Sequence, residues 1–141
     1  MIKPSIHLHD PRWKKALAPY CKTVESICAA VPGKGDVSIV LADDALLRSL
    51  NKQYRGKDKP TNVLSFPNDE APLGDVILAY DTIEREAREQ GKKFKSHSAH
   101  LIVHGVLHLM GHDHENENDA EKMEKKEVKI LAKLGIGNPY E

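Results

Sequence analysis

The 141 residues carry 21 Lys+Arg against 21 Asp+Glu, a formal net charge of zero, with 40% hydrophobic and 30% charged residues. That balance suits one globular domain with a real core and excludes both a disordered chain and a protein that coats nucleic acid by bulk charge, leaving room only for a local basic patch. No apolar run approaches the roughly 20 residues that cross a bilayer, and the opening MIKPSIHLHDPRWKK has no export signal, so the expected location is the cytoplasm.

Residues 2–9 alternate loosely and predict a short strand. Asp10-Pro11 then supplies an N-cap followed by proline at the first helical position. The helix from there to about 31 has to accommodate Pro19 by kinking or splitting. Pro32-Gly33-Lys34-Gly35 is a turn, and 36–42 (DVSIVLA) reads as a central strand. Asp43 or Asp44 caps a helix to about 54, with Leu46, Leu47 and Leu50 on its apolar face.

A charged loop, 55–60, leads into a strand at 62–66 (NVLSF), and a second strand follows at 75–79 (DVILA). The NDEAPLG stretch between them is long for a tight hairpin. Helices are predicted over 82–90, ended by Gly91, over 96–110, ended by Gly111, and over 118–134, ended by Gly135. The Glu and Lys residues of the last one read as i,i+4 partners on a solvated face. Strands separated by helices favour parallel pairing and the two adjacent strands favour an antiparallel pair. The fold class is therefore α+β, a small mixed sheet of about four strands packed with about five helices. Strand order is not legible. Cys21 and Cys28 are seven residues apart on a helix, about 10 Å along its axis, too far for a disulfide; both read as small core residues in a reducing compartment.

Six of the eight histidines fall between His97 and His114. His97, His100, His104 and His108 share one helical stripe. Two imidazoles on one zinc require nitrogens roughly 3.3 Å apart, given Zn–N bonds of about 2.0–2.1 Å. His104 and His108, one turn or about 6 Å apart, can converge; His100 and His108, about 12 Å apart, cannot. Gly111 can take a left-handed conformation, end the helix and carry His114 back to the His108 end. The predicted ligands of one zinc ion are thus His104, His108 and His114, with a fourth position for water, the catalytic pattern. His100 and Asp113 either orient a ligand imidazole or are surface groups, and His112 faces solvent or the rim.

The H-x3-H-x2-G-x2-H spacing is also that of metzincin proteases, which carry a glutamate base directly after the first histidine. Here Gly105 stands there, which weakens the alternative of a metallopeptidase or other zinc hydrolase. With glycine in that place, HGVLHLMGHDH resembles the signature of the YbeY family of bacterial endoribonucleases. The block YRGKDKPTNVLSFP at 54–67 and the step Gly74-Asp75-Val76 resemble the family's other characteristic segments. The resemblance implies a compact α+β fold, zinc on the three histidines and cleavage of single-stranded RNA. It also implies maturation of the 3′ end of small-subunit (16S) rRNA and ribosome quality control, with rRNA and the ribosome or its small-subunit proteins as partners. The family's functionally important arginine falls on Arg55, whose planar guanidinium suits phosphate oxygens. Lys52, Lys57 and Lys59 flank it and can guide an RNA backbone. Pro60, Thr61 and Asn62 are expected to shape the turn into the strand.

Overall fold

The computed structural model describes residues 1–68, 73–111 and 117–141. Along the chain run β1 (Ile2–Leu8), α1 (Arg12–Ala16), α2 (Tyr20–Ala30), β2 (Gly35–Ala42) and α3 (Asp44–Arg55). There follow β3 (Val63–Pro67), β4 (Gly74–Ala79), α4 (Tyr80–Glu89), α5 (Phe94–Leu109) and α6 (Glu117–Lys133). The expected α+β class holds, with six helices described instead of five. Pro19 divides the first predicted helix, and the chain passes between α1 and α2 there. No described helix is long and apolar enough to cross a membrane.

The four strands form one sheet in the order β1-β2-β4-β3. β1 pairs parallel with β2 and β2 parallel with β4, while β3 runs antiparallel to β4 from Val63↔Leu78 to Pro67↔Gly74. Pro4 is tolerated because β1 is an edge strand. The two-residue side-chain period sorts the inner strands. Val37, Ile39 and Leu41 of β2 and Val76 and Leu78 of β4 enter the larger core. There they meet Val24, Ile27 and Cys28 of α2, the apolar face of α5, and Met123, Ile130 and Leu131 of α6. On the opposite face Ala42, Ile77, Ala79 and Leu64 meet Leu47 of α3. The Asp43 carboxylate accepts from Leu46 N–H at 2.9 Å, so Asp43 and not Asp44 is the α3 cap. Asp44 instead turns across to α4, where it accepts from Thr82 N–H and Oγ1.

Two expectations are corrected here. Cys28 is buried but Cys21 is exposed, because in the first turn of α2 it is Tyr20, four residues before Val24, that packs against the core. α4 begins two residues earlier than predicted, running straight on from β4 with no loop between them. Near the N-terminus, Asp10 accepts from Arg12 N–H, and Arg12 bridges Asp10 and Asp81. Trp13, with no exposed surface, donates its indole N–H to Ala42 O at 2.8 Å and packs against the rings of Tyr80 and Phe94. The 69–72 part of the long connection lies outside the described residues.

Candidate active site

α5 carries the histidine stripe through the middle of the molecule, with ten of its sixteen residues buried. It crosses β4 at Gly105, where an added Cβ would lie 2.7 Å from Val76 Cγ1 and 3.1 Å from Ser65 Oγ. Only a residue without a side chain lets the helix come this close. The Ser65 hydroxyl donates to Gly105 O at 3.3 Å and ties the helix to β3. A glutamate at position 105 would start against the sheet instead of over an open site, which is the physical reason that the peptidase arrangement does not fit this backbone. At its C-terminal end the helix closes with Gly111 N–H on His108 O at 3.1 Å, and Gly111 has φ 94°, the left-handed turn that its place in the sequence predicts.

On the β3 side of this crossing is a cleft of about 300 Å³ lined by Arg55, Val63, Leu64, Ser65, His104 and His108. Three of the four sequence-predicted residues therefore meet in one place. His114, together with His112 and Asp113, lies outside the described residues. Among the described residues no group of three His, Cys, Asp or Glu side chains is gathered closely enough to hold a metal ion. Arg55 is the last residue of α3, not a loop residue, and Gly56 and Lys57 close the helix behind it on the carbonyls of Lys52 and Asn51. The loop that follows is tied back to α3. Asn51 donates to Lys59 O at 2.9 Å, and Arg48 pairs with Asp58 at 2.7 Å. Lys57 and Lys59 line a second hollow, together with Arg55 and Arg85.

The histidines part company behind the cleft. His104 sets Nδ1 2.7 Å from Glu127 Oε1, on α6. Glu127 is fully buried, so the reading of the α6 glutamates as a solvated face is corrected at this position. Its Oε2 accepts from the Tyr140 hydroxyl at 2.5 Å, and His100 Nε2 lies 3.4 Å from Oε1 and 3.2 Å from the Tyr140 oxygen. Burial alone would raise the Glu127 pKa; hydrogen bonds from His100, His104 and Tyr140 outweigh it and bring the carboxyl down to about 2. The tyrosine moves the other way, its pKa raised by burial and then by the neighbouring carboxylate. His100 thus touches the carboxylate that holds His104. His97 is buried elsewhere, its Nε2 2.9 Å from Glu86 Oε1, which also accepts from Asn62 Nδ2 at 2.9 Å. Burial pushes its imidazole below the ordinary value, against the pull of Glu86.

Sequence reasoning missed Ser65, Glu127 and Tyr140. The signal for Glu127 was present, since Met123, Glu127, Ile130 and Leu131 form one helical stripe in which a carboxylate replaces an apolar residue. No comparable signal marks Tyr140.

The donor set is compatible with a metal ion. The carboxylate engages Nδ1 of His104, and Nε2 is then the ring nitrogen able to give its lone pair to an ion, beside a second imidazole one turn along. The fold and cleft together define a small α+β protein organised around a histidine-bearing helix, with imidazole, hydroxyl and guanidinium groups facing one another. Residues 5–135 match the family model described as Endoribonuclease YbeY, and the chain belongs to that family. It is 51% identical over 117 residues to Endoribonuclease YbeY of Chelativorans sp. strain BNC1, covering 77% of this chain and 72% of that one. It is 49% identical over 137 residues to the protein of that name from Rhodopseudomonas palustris strain ATCC BAA-98 / CGA009, covering 89% and 72%. A solution structure from Thermotoga maritima superposes with a TM-score of 0.60 at 29% identity, covering 96% of this chain and 92% of that one.

Proposed function

We propose that this protein is a zinc-dependent endoribonuclease that cleaves phosphodiester bonds in single-stranded RNA. Its place would be the cytoplasm, maturing the 3′ end of 16S rRNA and clearing defective ribosomes in contact with the small subunit. The observation that carries the reading is the single cleft shared by Arg55, Ser65, His104 and His108 in a chain of the YbeY family.

His104, His108 and His114 would hold the ion. When bound, zinc supplies Lewis acidity to a phosphoryl oxygen and lowers the pKa of water toward about 7. The residues of the chain supply the rest. Arg55, permanently charged and carried on the rigid end of α3, can offer two parallel N–H donors to the non-bridging oxygens, whose charge grows during attack. Lys57 and Lys59, held by the Asn51 contact, extend the cationic wall along which a phosphate backbone can run. Val63 and Leu64 give that wall an apolar portion against which a base or ribose can lie. Glu127 is not the general base, because it is buried and both its oxygens are engaged. With no carboxylate at 105, the nucleophile is either water or the RNA 2′-hydroxyl.

The test is incubation of zinc-loaded protein with end-labelled single-stranded RNA, duplex RNA and casein, with and without a chelator. Chelator-sensitive cleavage of the single strand alone supports the proposal; hydrolysis of casein, or RNA cleavage indifferent to metal, refutes it. Product ends then identify the nucleophile. A 2′,3′-cyclic phosphate marks the 2′-hydroxyl and a free 3′-hydroxyl marks water.

A further inference from the structure

We infer that Glu127 and Tyr140 are positioning residues that fix the His104 imidazole in its Nδ1–H form, so that Nε2 is presented as a metal donor; the metal half of this inference rests on the proposed function. Neither residue belongs to the cleft. They reach it only through His104, from α6 and from the segment that follows it.

The first ground is chemical. An ionised carboxylate can only accept hydrogen bonds, so the 2.7 Å contact to Glu127 Oε1 requires a proton on His104 Nδ1. A neutral imidazole carries one ring proton, and its other nitrogen is then the acceptor. The second ground is the surroundings of the carboxylate. Met123, Ile130 and Leu131, its neighbours on the buried face of α6, are apolar, and packing there calls for another apolar residue. A charge in that position is tolerated only if its oxygens are satisfied. His104 satisfies one and the Tyr140 hydroxyl satisfies the other.

The third ground is the way Tyr140 is itself held. Its backbone N–H donates to Asn138 Oδ1 at 2.8 Å, Lys92 Nζ donates to Pro139 O at 2.7 Å, and its ring meets His100 edge-on at 5.4 Å. The segment after α6 is thereby fastened to the start of α5, with the tyrosine hydroxyl aimed at the carboxylate. Tyr140 fixes the plane of Glu127, and Glu127 fixes the proton on His104. His100, within reach of both, fills the remaining space between them.

The test uses the full chain with its histidines labelled with ¹⁵N, and reads the proton positions on His104 in metal-free protein near pH 8, well above the pKa of about 6.5 of a free imidazole. Zinc affinity is measured separately by competition with a chromophoric chelator. In the unsubstituted protein His104 is expected to be protonated at Nδ1. Glu127→Met, which keeps volume and removes the acceptor, should shift the ring toward Nε2–H and weaken zinc binding by about 10- to 100-fold. Tyr140→Phe should give a smaller change in the same direction, and because Tyr140 is 46% exposed this variant keeps the inference testable if Glu127→Met does not fold. A purely structural Glu127 would leave the tautomer untouched. Nδ1–H persisting in Glu127→Met and in Tyr140→Phe, with zinc affinity unchanged, overturns the inference while leaving the metal site intact. A tautomer that shifts as expected in a protein that binds no zinc upholds the orienting role and removes the proposed metal.

Discussion

Replacing Gly105 with alanine sets two opposite effects against each other at the crossing of α5 over the sheet. In a helix interior, alanine is favoured over glycine by about 1 kcal/mol. Against this, the new methyl would lie 2.7 Å from Val76 Cγ1, on a fully buried side chain in the inner strand β4. Restoring an ordinary contact of 3.4 Å requires a relative movement of about 0.7 Å, and overpacking of this kind costs roughly 1–3 kcal/mol. The net expectation is destabilisation by about 1 kcal/mol, a fall in melting temperature of roughly 3–6 °C for a chain of this size. The functional effect should be larger. His104 and His108 ride on the same helix and would move away from Ser65 and Arg55, and a displacement near 1 Å at a reacting centre can cost about a hundredfold. Gly105→Ala is therefore expected to cleave single-stranded RNA at least tenfold more slowly while remaining folded. Thermal melts, with single-turnover cleavage on the same samples, make the measurement. A variant that melts higher than the parent and cleaves at the parental rate would refute the close-crossing argument.

The other expectations are more direct. Arg55→Ala should alter stability by no more than about 0.5 kcal/mol, yet raise the cleavage barrier by about 2.7–4 kcal/mol, roughly a hundred- to thousand-fold in turnover; Arg55→Lys should recover only part, and near-normal cleavage by the alanine variant removes Arg55 from the chemistry. His108→Ala should abolish stoichiometric zinc by elemental analysis. His97→Ala should retain zinc while losing about 1–3 kcal/mol of stability, because Glu86 is left short of a partner. Zinc affinity should fall as pH drops below about 6.5, since protons compete for imidazole lone pairs; flat retention between about pH 7.5 and 5 counts against histidine ligation. Arg12 holds the Asp10 and Asp81 carboxyls below their ordinary pKa, chiefly through side-chain hydrogen bonds. Their contribution is present above the unfolded carboxyl pKa of about 3.9 and is lost as pH falls through the lower folded values. Arg12→Ala should thus cost on the order of 1 kcal/mol at neutral pH, with the gap to the parent closing below about pH 4. A gap that stays constant down to pH 2 in denaturation curves contradicts the assignment.

Local rules carried most of the fold into the sequence. The alternation of β2, the short apolar run of β4, an aspartate cap at 43 or 44, and the glycines at 91, 111 and 135 mark their elements without help from the rest of the chain. The meeting of His104 and His108 was legible because one helix carries both. Their meeting with Arg55 was not readable from spacing, since it depends on β3 lying next to β4 at the sheet edge, a pairing set by long-range packing. Glu127 hid among glutamates and lysines that do face water; its place on the Met123, Ile130 and Leu131 stripe marked it as inward-facing, but its partner His104 depends on the docking of α6 on α5. The role of Gly105 was half visible. Its lack of a carboxylate could be seen in the sequence, whereas the wall formed by Val76 could not.

Trp13 is the only tryptophan in the chain, and its position makes it an intrinsic optical reporter. It is enclosed by Tyr80 and Phe94 and hydrogen-bonded to Ala42 O at 2.8 Å, so its emission reads the seating of α1 on β2 and on the starts of α4 and α5. The residues lining the cleft are not among those ring partners. Quenching titrations and unfolding traces followed at this indole therefore monitor the scaffold. Changes at the histidine cleft that leave the scaffold seated will be spectrally silent, and need a fluorophore placed on the RNA.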